Sequence, residues 1–127
     1  KIESSKNIEK LKSLEHLYFG SNPKLESTTG FESLTNLKCL EIENIKPLAD
    51  FSSLENLSNL LTLKITGTVD KLLPMENLFF LNELKNLEEL TLGISLKNKN
   101  LEMFHNLKKL RYLWLPTSLL KKLERIN

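Results

Sequence analysis

The sequence is poor in several things, and each shortage excludes a class. It has one cysteine, Cys39, so no internal disulfide can form and a disulfide-framed mini-protein is excluded. Glycine and proline number four each, too few for a collagen-like or low-complexity disordered chain. Aromatic residues make up only 7%. Long apolar runs are absent: one of the longest is Leu78-Phe79-Phe80-Leu81, far short of a membrane-spanning helix. Nothing near Lys1 reads as a charged-then-apolar secretion leader. The formal charge of +2 is too small to point to nucleic acid by itself.

Leucine is what the chain has in excess, 30 of 127 residues. Its placement is periodic. The pattern Leu-x-x-Leu-x-x-Leu-x-[Leu/Ile/Phe] occurs five times, over residues 11–19, 34–42, 57–65, 84–92 and 107–115. The second leucines fall at 14, 37, 60, 87 and 110, in steps of 23, 23, 27 and 23. The longer step implies a four-residue insertion within 69–80. Intervening apolar positions repeat with the same offset, as in Phe31, Leu54 and Phe104. Such a period marks a solenoid, in which no unit buries its own leucines and stacking supplies the core.

These motifs resemble the leucine-rich repeat family, and stretches such as Leu34-Thr35-Asn36-Leu37-Lys38-Cys39-Leu40-Glu41-Ile42 are similar to the short repeats of bacterial internalin-like proteins. The resemblance implies an α/β solenoid in a single domain, 1–127: a short parallel sheet on the concave face and helical, 3₁₀ or irregular returns on the convex one. One departure from the family pattern stands out. The asparagine expected eight positions after the second leucine is present only as Asn22, the later copies carrying Ile45, Thr68, Ser95 and Ser118. Water or backbone turns are therefore expected to satisfy the groups that an asparagine ladder would serve.

Alternation such as Leu40-Glu41-Ile42-Glu43 is the period-two signal of a half-buried strand. The spacing of three through Phe51, Leu54, Leu57 and Leu60 suits short helical or 3₁₀ turns on the return. A helical bundle would also line up Leu-x-x-Leu-x-x-Leu, but a 23-residue repeat of Leu-x-Leu endings holds no heptad seam. Around the insertion, a longer helical return with Phe79 or Phe80 over the core is expected. Residues 117–127 suit a short amphipathic cap, and Ile2 and Ile8 sit on the phase of a preceding return. The chain is thus expected to be a segment of a longer repeat protein or a small relative within one.

In this register the x positions of the strands point outward. Copy by copy, that face is His16, Tyr18 and Gly20; Cys39, Glu41 and Glu43; Thr62, Lys64 and Thr66; Glu89, Thr91 and Gly93; and Tyr112, Trp114 and Pro116. Tyr112 and Trp114, alternating with Leu113 and Leu115, are the expected anchors for a partner, unless the C-terminal segment folds back over them. Tyr18, His16, Glu41, Lys64 and Glu89 are expected to set the polarity of the same patch. Five strand-segment carboxylates (Glu15, Glu41, Glu43, Glu88, Glu89) stand against Lys38, Lys64 and Arg111, which suits a basic or mixed partner surface.

Chemistry is sparse. Cys39 and His16 occupy equivalent positions on adjacent rungs, so they can approach to about 5 Å, and a Cys–His pair is the minimal constellation for thiol nucleophilic catalysis. No oxyanion hole is offered on an open strand face and no third group is evident to orient the base. No metal site is expected: His16 and His105 lie on different sides of the repeat, and no Cys-x-x-Cys is present. No glycine-rich phosphate loop exists, and adjacent Glu88 and Glu89 point opposite ways. The lysines gather in turns and returns, away from the strand face that a nucleic-acid binder would use.

The sequence thus indicates a non-enzymatic protein-interaction module with a protein partner. No cofactor, nucleic acid, membrane span or small-molecule substrate is expected. The alternatives are a structural spacer in a larger repeat protein and, remotely, a thiol enzyme built on Cys39 and His16. The missing cysteine pairs point away from disulfide-capped extracellular repeats; a cytoplasmic or bacterial-surface protein fits.

Overall fold

A computed structural model describes residues 7–20, 27–45 and 50–124. Ile2, Asn22, Leu25, Leu48 and the end of the expected cap (125–127) lie outside the described residues.

The spacing of three between leucines sets the return path. Leu57 N–H donates to Leu54 O at 3.1 Å and Leu60 N–H to Leu57 O at 3.0 Å, so the stretch winds with three residues per turn. At that pitch side chains three apart lie on one side, and Leu54, Leu57 and Leu60 all enter the core with no solvent contact. The same winding recurs as 3₁₀ turns at Ile8–Lys10, Phe31–Ser33, Ser52–Asn56, Phe79–Glu83 and Glu102–Asn106. The only α-helix among the described residues is α1 (Thr117–Glu124).

After the third leucine the period changes to two, and the chain extends. The strands are β1 (His16–Gly20), β2 (Cys39–Glu43), β3 (Thr62–Thr66), β4 (Leu73–Met75), β5 (Glu89–Leu96) and β6 (Tyr112–Trp114). All pair in parallel: β1 with β2, β2 with β3, β3 with β5 and β5 with β6, while β4 pairs with the far half of β5. This is the expected solenoid, a parallel sheet on one side and 3₁₀ returns on the other.

At the starts of β2, β3, β5 and β6, two backbone N–H groups converge on one carbonyl of the rung before. Lys38 and Cys39 donate to Glu15 O, Leu61 and Thr62 to Lys38 O, Glu88 and Glu89 to Leu61 O, and Arg111 and Tyr112 to Glu88 O. Each shared acceptor pins the next strand's first residue and therefore the register of the whole rung. With register set, Leu37, Leu40, Ile42, Leu63, Ile65, Leu87, Leu90 and Leu92 are all fully buried. The stack's outer rungs are drier on one side only: Leu11 is 46% exposed, and Leu110 and Leu113 are partly buried.

Two polar devices repeat alongside the leucines, neither of them in the sequence reading. Asn36 Nδ2 donates to Lys12 O at 3.0 Å, Asn59 Nδ2 to Thr35 O at 2.8 Å, and Asn86 Nδ2 to Ser58 O at 2.9 Å. An asparagine ladder therefore exists, placed between the first and second leucines instead of after the strand. At the position where Asn was missing, Ile45 is buried in the core and Thr68, Ser95 and Ser118 are exposed. Buried side-chain polar atoms among the described residues all have partners.

The second device opens the return. Asp50, Asn77 and Asn100 accept, through Oδ1, the N–H two residues on (Ser52, Phe79, Glu102) at 2.8–3.0 Å, and Ser27 Oγ does the same for Thr29 at 3.3 Å. These Asx-type turns bend the chain from strand into 3₁₀ turn. The bond from Ser52 N–H holds the Asp50 carboxyl below the usual carboxylate range.

The extra residues are not spent on a longer helix. Thr66 is opposite Gly93 and Leu73 opposite Ile94, so Gly67–Leu72 loops out between two consecutive positions of β5. The return turn that follows, Phe79–Glu83, has five residues like its neighbours. Phe80 is buried and stacks on Phe51, with ring centroids 6.4 Å apart, while Phe79 is 44% exposed. The loop closes tightly at Gly67, where a Cβ would sit 2.3 Å from Lys71 O and 2.8 Å from Leu73 N.

Two outcomes follow for stability. Gly67→Ala should cost about 1–3 kcal/mol in urea unfolding because backbone must shift, whereas Val69→Ala, at a fully exposed site, should change it negligibly; equal stability of the two variants would refute the tight closure. Asp50→Ala should cost about 1 kcal/mol at neutral pH and Asp50→Asn less, since Asn makes the same turn. Because the folded-state pKa of Asp50 is depressed, its charge-dependent contribution is present above the unfolded value of about 4 and is lost as pH falls through the folded one. The wild-type advantage over Asp50→Asn should accordingly shrink to nothing in strong acid.

Candidate functional site

Parallel in-register pairing turns the outward positions into straight rows. One row runs His16, Cys39, Thr62, Glu89, Tyr112; the next runs Tyr18, Glu41, Lys64, Thr91, Trp114. A third begins with Gly20 beside Glu43 and continues with Thr66 beside Gly93. All seven residues expected at the site (Tyr112, Trp114, Tyr18, His16, Glu41, Lys64 and Glu89) therefore lie on one face. His105 lies apart, on a return turn.

The aromatics are open. Tyr112 is 53% exposed and Trp114 46%, side by side on the sheet, with Tyr18 at 54% on the opposite end of the middle row. Helix α1 does not fold over them. It buries Leu119 and partly buries Leu123 against the end of the core instead.

Charges between the aromatics are paired from rung to rung. Lys64 Nζ bonds Glu43, His16 Nε2 lies 3.1 Å from Glu41 Oε2, and Thr62 Oγ1 donates to Glu89 Oε2 at 3.3 Å. The bond to Glu43 raises the Lys64 ammonium above its ordinary range. The Tyr18 hydroxyl is also pushed up, first by partial removal of solvent and then by the Glu43 carboxylate to which it is hydrogen-bonded. The Tyr18 ring lies across Gly20, where a Cβ would meet its hydroxyl at 2.2 Å. Glu43 is thus a hub that the expected site omitted; the signal was its place one period after Gly20, directly within reach of Tyr18 and Lys64.

Around Cys39 the geometry corrects two expectations. A third group does stand by the Cys39–His16 pair: Glu41, whose carboxylate holds the imidazole. Donor atoms of His16, Cys39 and Glu41 lie within 4.8 Å of one another, where no metal-ligating cluster was expected. Sequence reasoning compared residues directly opposite each other and overlooked the diagonal from His16 on β1 to Glu41 two positions along β2. As a nucleophile Cys39 is handicapped, because burial, then the charges of Glu41 and Glu89, push its thiol up and deplete the thiolate.

Beside the strands runs an open groove of about 540 Å³ bordered by Ser13, Asn36, Asn59, Asn86 and Lys109. Its asparagines are occupied in the ladder, and Lys109 Nζ donates to Asn86 Oδ1 at 2.8 Å, so the groove is accounted for structurally. No helix among the described residues is long and apolar enough to cross a membrane.

Comparison with solved structures agrees with this architecture. Internalin C2 from Listeria monocytogenes superposes with a TM-score of 0.70 at 22% identity, over 91% of this chain and 50% of that one. A leucine-rich repeat protein of Leptospira interrogans does so with a TM-score of 0.67 at 24% identity, over 88% of this chain and 28% of that one. The chain has the leucine-rich repeat fold of these internalin-like structures and spans half of one neighbour and less than a third of the other. No family model and no curated protein matches the sequence.

The exposure of the only tryptophan is directly measurable. Acrylamide should quench Trp114 fluorescence with a constant near that of a solvent-exposed indole, and the emission maximum should shift to the blue if a helix covers it. A shielded, blue-emitting Trp114 in the folded chain would contradict the open face.

Proposed function

We propose that this chain is a non-enzymatic protein-interaction module that docks a partner protein on its concave strand face. The observation that carries the reading is the pair Tyr112 and Trp114, two large side chains about half exposed on adjacent rows of a rigid sheet. Large aromatic rings bring much apolar area to an interface and lose few rotamers on binding, which is why they recur as hot spots. Leaving them uncovered has a solubility cost that a spacer would have no reason to bear.

Tyr18, His16, Glu41, Lys64 and Glu89 would form the polar remainder of the patch. Three carboxylates, Glu41, Glu43 and Glu89, face out against one ammonium, Lys64, so the complementary surface is basic or mixed. Exposed lysines such as Lys97, Lys99 and Lys108 lie on the turns and returns, off this face, an arrangement that disfavours a nucleic-acid partner. The raised thiol of Cys39 speaks against the thiol-enzyme alternative. The bacterial neighbours support a bacterial source.

The test is affinity capture from bacterial extract with two baits, wild type and Tyr112→Ala/Trp114→Ala, the latter shown by circular dichroism to be folded. A protein retained by the wild type and released at least about tenfold more readily by the variant is the expected result, since two anchor truncations remove about 2 kcal/mol or more. Equal capture by both baits, or none by either, would move the weight to the spacer.

A further inference from the structure

The face carries one feature that docking does not explain. Among the described residues, His16, Cys39 and Glu41 form a group of three metal-ligating side chains of three different donor types. We infer that they bind a single divalent first-row transition-metal ion of the zinc class, with the fourth coordination position open to solvent on the strand face. This inference does not rest on the docking proposal.

Geometry is the first argument. His16 and Cys39 are direct partners at the start of β1 and β2, where the shared Glu15 carbonyl pins the rung, and Glu41 is two residues further along on the same face. Their backbone positions are therefore set before any ion arrives. The three donor atoms lie within 4.8 Å of one another, and Nε2 of His16 is already 3.1 Å from Oε2 of Glu41. Around a tetrahedral ion with bonds of about 2.0–2.3 Å, neighbouring donors are roughly 3.3–3.6 Å apart. One pair thus sits near a tetrahedral edge, and closing the others takes side-chain rotation of about 1 Å, with no change in the sheet.

Donor chemistry selects the ion. A thiolate, an imidazole and a carboxylate suit zinc and cobalt, whereas calcium and magnesium take all-oxygen shells of six or more ligands. Three protein ligands with one open position is the arrangement of exchangeable, non-structural zinc sites. Binding would release the Cys39 thiol proton to solvent in exchange for a sulfur–metal bond; the proton that His16 Nε2 shares with Glu41 would pass through solvent to Nδ1, freeing Nε2 and the carboxylate for one metal bond each. Negative charge near Cys39, from Glu41 within the donor set and Glu89 further along the same row, favours a dication there. Thr62 keeps Glu89 Oε2 engaged one rung beyond, as a charge-balancing neighbour outside the donor set.

The test uses Co²⁺ as the probe on the full 127-residue chain, with Cys39 kept reduced by a phosphine. Expected are one equivalent bound, a thiolate-to-cobalt charge-transfer band, intense visible bands of four-coordinate cobalt, and displacement by Zn²⁺ but not by excess Mg²⁺. Cys39→Ser should abolish the charge-transfer band, and His16→Gln and Glu41→Gln should each weaken binding about tenfold or more. Glu89→Gln should weaken it less than any of these. All four positions are at least partly exposed, and circular dichroism would verify folding; if one variant fails to fold, the wild-type spectrum and the remaining variants still decide. Absence of a charge-transfer band at millimolar Co²⁺ would overturn the inference. So would binding unchanged by His16→Gln and Glu41→Gln, several weak equivalents, or equal competition by Mg²⁺, each of which describes an acidic surface and not a site.

Discussion

A leucine in this chain is dry only because the next rung covers it. No turn of the coil can bury its own apolar side chains, so the structure depends on stacking in one fixed register. That register is secured at a recurring point, the carbonyl that accepts two N–H groups where β2, β3, β5 and β6 begin. Slippage by one residue would send the leucines to solvent and the charged side chains inward. The gradient of burial supports this account: inner rungs have leucines with no exposure at all, and Leu11, on the first described rung, is nearly half exposed.

The same constraint makes the surface. Parallel in-register stacking brings residues of equal phase into columns about 4.8 Å apart, so a column of like charges would repel. Charges of the two outward rows are offset accordingly: Glu41 is followed by Lys64, and Glu43 bonds Lys64 from the neighbouring row. Polar groups that must stay near the core are handled by repetition as well. Asn36, Asn59 and Asn86 each reach back one rung to a backbone carbonyl, converting a side chain that would otherwise be solvated into a strut between rungs.

Much of this was legible in the sequence because a repeat states the same fact several times. Five copies of the leucine pattern identify the core, the strands and the outward face, and the spacing of three indicates the 3₁₀ returns. What escaped has physical reasons. The asparagines between the first and second leucines look like ordinary solvated positions, and the column begins with Ser13 and ends with Lys109, which breaks its signature. The Asx turns are made by Ser27, Asp50, Asn77 and Asn100, four positions with three residue types, so identity hides a shared geometry. The looped-out residues 67–72 follow from which backbone groups pair with β5, and pairing is not visible in leucine spacing. The His16–Glu41 contact is diagonal, whereas counting by the period compares only residues directly opposite.

Diagonal contacts also explain why the face has two chemically distinct ends. On the β1–β2 side, long side chains lean across rungs and satisfy one another, so Tyr18, Glu43, His16 and Glu41 form a polar cluster with Cys39 among them. Among the described residues β6 pairs with β5 alone, which sets Tyr112 opposite Glu89 and Trp114 opposite Thr91. A polar side chain on that rung would be solvated and inert; two aromatics there leave apolar surface that water covers poorly. In the proposed docking, the aromatic rung is where a partner would gain most by displacing solvent, and the polar cluster is where it would have to match charge. On that reading apolar area and charge matching come from different rungs of one sheet, because in-register stacking gives each rung its own outward side chains.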